Sequence, residues 1–189
     1  MKFFGKSDNR APRNYLVLDE LSGGGCHWAC TYPRNKRPRS VEDGAVMFMS
    51  RLVHSPHDTM IFGRAIGLRY EEGRDDASAA DLAKRPWKKD WPHYIRVHDG
   101  EFLAGTMEDA VSLAELMDEL GPHAFASTTE NLESGSGNTN PRRSIRQSAA
   151  ARLAPAGIEW LNERLELAFQ KNGRLQPAQL ASLDWPSEI

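Results

Sequence analysis

Two apolar, β-prone runs constrain this chain more than anything else in it: Gly44-Ala45-Val46-Met47-Phe48-Met49-Ser50, and residues 59–68 around Met60-Ile61-Phe62-Gly63-Arg64-Ala65-Ile66-Gly67. Short apolar runs rich in branched and aromatic residues, bounded by polar segments, read as strands, and the second reads as a buried one. The polar stretch from Arg51 to Asp58 between them reads as a connecting loop, giving a strand-loop-strand unit. Upstream, Tyr15-Leu16-Val17-Leu18-Asp19-Glu20-Leu21 is a first strand, and Cys26 to Tyr32 a second, separated by Ser22-Gly23-Gly24-Gly25. Downstream, Tyr94 to Val97 and Phe102-Leu103 resume β structure around a turn at Asp99-Gly100, after an acidic surface excursion over residues 69–84 with a short helix at its end.

The C-terminal half changes period. Ser112 with Glu115 three residues on is a capping box, Leu113, Leu116, Met117 and Leu120 share one helical face, and Gly121-Pro122 supplies the stop. Residues 127–143 are rich in Ser, Thr, Asn and Gly and read as a long loop. Pro155 can open a second long helix that turns Ile158, Leu161, Leu165, Ala168 and Phe169 inward, with Trp160 in the core and Gly173 past its end. Strands first and helices later predict an α+β fold, its mostly antiparallel sheet curling into a small barrel with flanking helices. The expected organisation is a mobile basic arm at 1–14, one domain at 15–172 and a C-terminal tail at 173–189.

At 189 residues the chain is long enough for one domain with a sizeable core. A net charge of -2 excludes a general DNA coat, so any nucleic-acid site has to be a local patch. No apolar run approaches bilayer length and residues 1–8 lack a secretory core, which predicts a soluble, cytoplasmic protein. Cys26 and Cys30 are then two free thiols.

Metal and catalytic chemistry find little support. Cys26, Cys30, His54 and His57 are zinc-ligand types, but Cys-x3-Cys is wider than the usual structural knuckle and the histidines fall in a polar loop, so no metal or other cofactor is expected. Asp75-Asp76 and Glu71-Glu72 are adjacent carboxylates on a polar segment, a pattern of solvated faces, and the Ser22 glycine run is neither a nucleophile elbow nor a phosphate loop. The chain reads as a non-enzyme.

Aromatic residues beside cations carry the sharper signal. Trp87-Lys88-Lys89-Asp90-Trp91 delivers two indoles among two lysines just before a strand, and Trp28 ends or begins another. In a small barrel Trp28, Trp87 and Trp91 can converge on one rim and box a flipped or unpaired base, a stacking contact worth about 1–3 kcal/mol per base. Lys88 and the arginines of Arg142-Arg143-Ser144-Ile145-Arg146-Gln147 are the phosphate-contact candidates. The basic loop Pro33-Arg34-Asn35-Lys36-Arg37-Pro38-Arg39 reads as solvated.

Residues 44–50 followed by Ile61-Phe62-Gly63-Arg64-Ala65 resemble the EVE domain of the PUA-like superfamily, related to YTH domains, in which a Gly-Asp-x-x-x-Phe-Tyr-His-Ser strand precedes one ending in Gly-x-Gly/Ala. Trp91 to Val97 resembles that family's Trp-x-x-Val/Ile-x-Val strand, and Arg146-Gln147 with Leu153 and Trp160 resembles its later motif. Ala45 stands at the family's acid, Met47 and Met49 near its tyrosine and histidine, and Gly24-Gly25-Cys26-His27-Trp28 loosely replaces its early Trp-Gly-x-Arg-Asn. The resemblance implies a reader of modified bases in DNA or RNA, with Ser50 giving a polar contact and Trp91 lining the pocket. The expected function is a nucleic-acid-binding module. A protein-interaction domain and a small metal-dependent nucleic-acid enzyme are the alternatives.

Overall fold

The computed structural model describes residues 13–19, 28–32, 34, 37–54, 57–84, 86–147 and 150–176. Its strands are β1 (Tyr15–Asp19), β2 (Trp28–Tyr32), β3 (Ala45–His54), β4 (His57–Gly67), β5 (His93–Phe102), β6 (Val111–Ser112) and β7 (Ala150–Arg152). Its α-helices are α1 (Ala79–Lys84), α2 (Leu113–Leu120), α3 (Ala126–Ser134), α4 (Pro141–Gln147) and α5 (Pro155–Asn172). The strand order is β2-β5-β4-β3-β1-β7, with β6 on β4. The β1–β3 pair is parallel and the other ladders are antiparallel. The α+β class and the largely antiparallel sheet follow the sequence expectation. Among the described residues no ladder joins β2 to β1, so hydrogen bonds do not close the sheet into a barrel, although the two strands come within 8 Å of each other.

Both faces of the central strands are buried, the reason their sequences are apolar almost throughout. On one face Tyr15, Val17, Met47, Met49, Phe62, Ile95, Val97 and Phe102 meet one another with Val41 and Ala150, so this core is built by the curled sheet against itself. On the other face Leu16, Phe48 and Ile61 pack under α2 and α5 through Leu116, Trp160, Leu161, Leu165 and Phe169. Trp160 is a core residue whose Nε1 donates to Glu119 at 2.7 Å.

Two bulges set this arrangement. Between the Met49↔Gly63 and Ser50↔Ile61 pairs β4 carries an extra residue, Phe62; between Arg64↔Glu101 and Ile66↔His98 β5 carries one at Asp99-Gly100. The expected turn at Asp99-Gly100 is therefore a bulge inside one continuous strand, and Asp99 sits at φ 47, a conformation that Asp tolerates better than most residues. Each bulge brings a phenylalanine onto the inner face, where the Phe62 and Phe102 rings lie 5.8 Å apart.

A buried charge network seats α5 on the sheet. Arg64, 3% exposed in the middle of β4, donates through Nε to Glu101 at 3.0 Å, through a terminal nitrogen to Asn162 at 2.6 Å, and to Glu166. Arg174, beyond α5, bonds the other Glu166 oxygen at 2.7 Å and stacks on the Phe169 ring at 4.4 Å. Leu175 N–H donates to the Phe102 carbonyl at 2.9 Å, so residues 174–175 of the expected tail are pinned to the end of β5.

Three expectations fail on local grounds. Most of the polar stretch 51–58 is strand, because β3 and β4 run on as a long hairpin whose outer end is only partly buried, with Leu52 exposed. Residues 127–143 are mostly helical: α3 is polar because Glu133 and other solvent-facing residues surround it, and the Thr128 and Thr129 hydroxyls donate back to the Phe125 carbonyl at 3.0 Å. Asp75 is fully buried rather than solvated.

Gly157 of α5 has no room for a side chain, since an added Cβ would sit 2.3 Å from the Ala124 carbonyl oxygen. In an exposed helix Gly→Ala is stabilising; here Gly157→Ala is expected to destabilise by about 1–3 kcal/mol, read as a lower urea midpoint. Burial pushes the Glu166 carboxyl up, but hydrogen bonds from Arg174 and Arg64 more than offset this and hold it below its ordinary 4.5. Its charge thus contributes stability above that value and loses it as pH falls through the lower folded value. Acid unfolding curves of Glu166→Gln are expected to be flatter than wild type across that window.

Candidate nucleic-acid interface

The indole-bearing segment is a 3-10 turn, Pro86–Lys89, that proline starts and the Trp91 N–H closes by donating to the Lys88 carbonyl at 3.1 Å. Trp91 then stands 40% exposed before β5, one of few large apolar side chains facing solvent among the described residues. Lys88 points the other way: it is fully buried, its ammonium 5.4 Å from the Tyr94 ring centre. A desolvated cation over a phenol ring contributes about 2 kcal/mol, so Lys88 serves the support under Trp91 and not a surface phosphate.

That support is polar and dense. Asp75 accepts from Arg74 at 2.7 Å and the Glu71 N–H at 2.8 Å, with Arg96 at 3.3 Å, and its carbonyl accepts the Tyr94 N–H at 3.1 Å. Asp76 accepts from Tyr70 at 2.8 Å and from the Gly73 N–H at 2.8 Å, and lies 2.5 Å from His93 Nδ1. Burial alone raises Asp76, yet the hydrogen bonds from His93, Gly73 and Tyr70 hold it below its ordinary 3.8. Burial and then the bond to Asp76 push the Tyr70 phenol up to about 12. His93 is itself buried, and through it the cluster ties residues 70–76 to the start of β5.

The same cluster fixes the basic loop. His93 Nε2 is 3.3 Å from the Arg34 carbonyl, the Arg34 N–H donates to the Asp90 carbonyl at 3.1 Å, and Arg37 pairs with Glu72 at 2.8 Å. Arg34 and Lys89, both exposed, are therefore close to Trp91 along the backbone. Neither is among the phosphate-contact candidates of the sequence. Its available signal was a proline-bounded cationic loop, whose docking depends on contacts to residues some sixty positions away.

The remaining candidates separate. Ser50 is fully buried at the β3–β4 bulge and its hydroxyl donates to the Val17 carbonyl at 2.7 Å, which makes it a core hydrogen bond instead of a ligand contact. Trp87 shares the 3-10 turn with Trp91, and Trp28 is paired in register with Arg96, three residues into β5 from its start; the side chains of both lie outside the described residues. Arg142 and Arg143 are exposed on α4, with Arg142 3.7 Å from Asp118, and the Arg146 side chain lies outside the described residues. Helix α4 packs on α3 and β7, at the opposite end of the strand order from β2. There a shallow depression of about 360 Å³ is lined by Ser127, Glu130, Ser144 and Arg152.

Among the described residues no group of three His, Cys, Asp or Glu is placed to hold a metal; Cys26 and the side chains of Cys30, His54 and His57 lie outside them. No described helix is long and apolar enough to cross a membrane. The chain matches no family model, no curated protein and no solved structure.

The raised phenol gives a direct check on the cluster. Its contribution to stability is present below pH 10 and is lost as pH rises toward 12. Ultraviolet titration is expected to find one tyrosine ionising near 12, absent in Tyr70→Phe and moved toward 10 by Asp76→Asn.

Proposed function

We propose that this chain is a nucleic-acid-binding module without chemistry of its own, in which Trp91 stacks on a flipped or unpaired base. The observation that carries the reading is the exposed Trp91 indole, held on a rigid polar support with exposed cations close to it along the backbone. A planar aromatic surface fixed in place accepts any base face without first paying the entropy of its own ordering. The inner face of the sheet, packed on itself with β1 and β2 close together, supports a small PUA-like barrel as the scaffold. The EVE-like motifs add the expectation that the base is a modified one in DNA or RNA. The α4 arginines form a second cationic surface.

The test is quenching of tryptophan fluorescence by matched oligonucleotides, single- and double-stranded, with and without methylated or hydroxymethylated bases, at fixed salt. Saturable quenching is expected, with one modified member preferred. Trp91→Ala should weaken binding by about 1–3 kcal/mol, roughly 5- to 150-fold in Kd. Wild-type affinity in that variant would remove the basis of the reading.

A further inference from the structure

Resting on the stacking role of Trp91, we infer that the phosphates next to the stacked base are held by Arg34 and Lys89, the ligand being a single strand of nucleic acid. Three observations lead there. The Arg34 N–H is bonded to the carbonyl of Asp90, the residue preceding Trp91, and neighbouring Cα atoms are about 3.8 Å apart, so the exposed Arg34 side chain starts close to the Trp91 backbone. Lys89 ends the turn two residues before Trp91 and is exposed, whereas Lys88 is turned down onto Tyr94. Arg34 is also held from behind, its carbonyl 3.3 Å from His93 Nε2, and that ring is fixed in turn by Asp76 and Tyr70.

The chemistry fits discrete contacts and not a broad basic field. Asp90 is exposed in the same turn, and Glu72 engages Arg37 at 2.8 Å, so among the described residues the exposed cations next to Trp91 along the backbone are Arg34 and Lys89. A duplex surface needs many cationic contacts, and among the described residues this turn offers two exposed cations beside an exposed acid, Asp90. One stacked base with a guanidinium and an ammonium on its flanking phosphates is a single-strand footprint. Helix α4, at the far end of the strand order, is the competing source of phosphate contacts.

The experiment compares the salt dependence of oligothymidylate binding, followed by tryptophan quenching, for wild type, Arg34→Gln/Lys89→Gln and Arg142→Gln/Arg143→Gln, with urea midpoints confirming that all three fold. Glutamine keeps most of each stem and removes the charge. Each phosphate contact to a single strand contributes about 0.7 to the slope of log affinity against log salt, so the Arg34/Lys89 pair is expected to lower the slope by about 1.4 and the α4 pair to leave it unchanged. An unchanged slope in the Arg34/Lys89 variant, or a fall confined to the α4 variant, overturns this inference while quenching that still depends on Trp91 leaves the stacking role standing. If wild type binds neither oligothymidylate nor any modified single strand, or Trp91→Ala binds as wild type does, the stacking role falls and this inference with it.

Discussion

A permanently charged guanidinium in the middle of a buried strand is the constraint around which the rest is arranged. Arg64 on β4 cannot be left alone in the interior, where an unpaired charge is prohibitively costly. Partners reach it from two elements: Glu101 from the neighbouring strand, and Asn162 and Glu166 from α5, with Arg174 engaging the far side of Glu166. The apolar face of α5 supplies burial, but apolar contact is non-directional. The hydrogen bonds to Arg64 add the directional element that fixes where along the sheet the helix sits, and the segment after α5 is drawn in to the end of β5 by the same carboxylate.

On the opposite face, among the described residues, the strands curl onto themselves and build the core from their own side chains. Two cores then share one set of strands, one sheet-on-sheet and one sheet-on-helix. The segment carrying Trp91 enters β5 at the β2–β5 end of the strand order, next to α1. It is braced by the buried Asp75 and His93 and the partly buried Asp76 and Tyr70, whose bonds join residues 70–76 to Arg34 and β5.

The legible parts of the fold were those with a dense local signal. Continuous apolar runs gave β1, β3 and β4; Ser112 and Glu115 gave the start of α2; Pro155 and Gly173 bracketed α5. What stayed hidden was set by tertiary partners. Asp75 looks solvated until Arg74 and Arg96 are seen to enclose it, and α3 looks like a loop because a helix lying on the surface needs few apolar residues. At the site, the exposure of Trp91 agreed with its place among polar neighbours, while Lys88 and Ser50 read as ligand contacts only because sequence cannot say which way a side chain turns. Arg34 was passed over because a cation in a proline-bounded loop has no address until its backbone is docked.

The bulges at Phe62 and at Asp99-Gly100 act as phase shifters. A strand assigns its side chains by odd and even number, and one added residue swaps the assignment from that point on. In β5 the inner face is odd at Ile95 and Val97 and even at Phe102; in β4 it is even at Phe62 and odd at Ala65. The chain therefore encodes its inner core by counting as well as by chemistry. Along these two strands the number of residues is a requirement in its own right, and lineages of this fold are expected to exchange Asp99 for Asn or Gly, which share its tolerance of φ 47, before they lose or gain a position there.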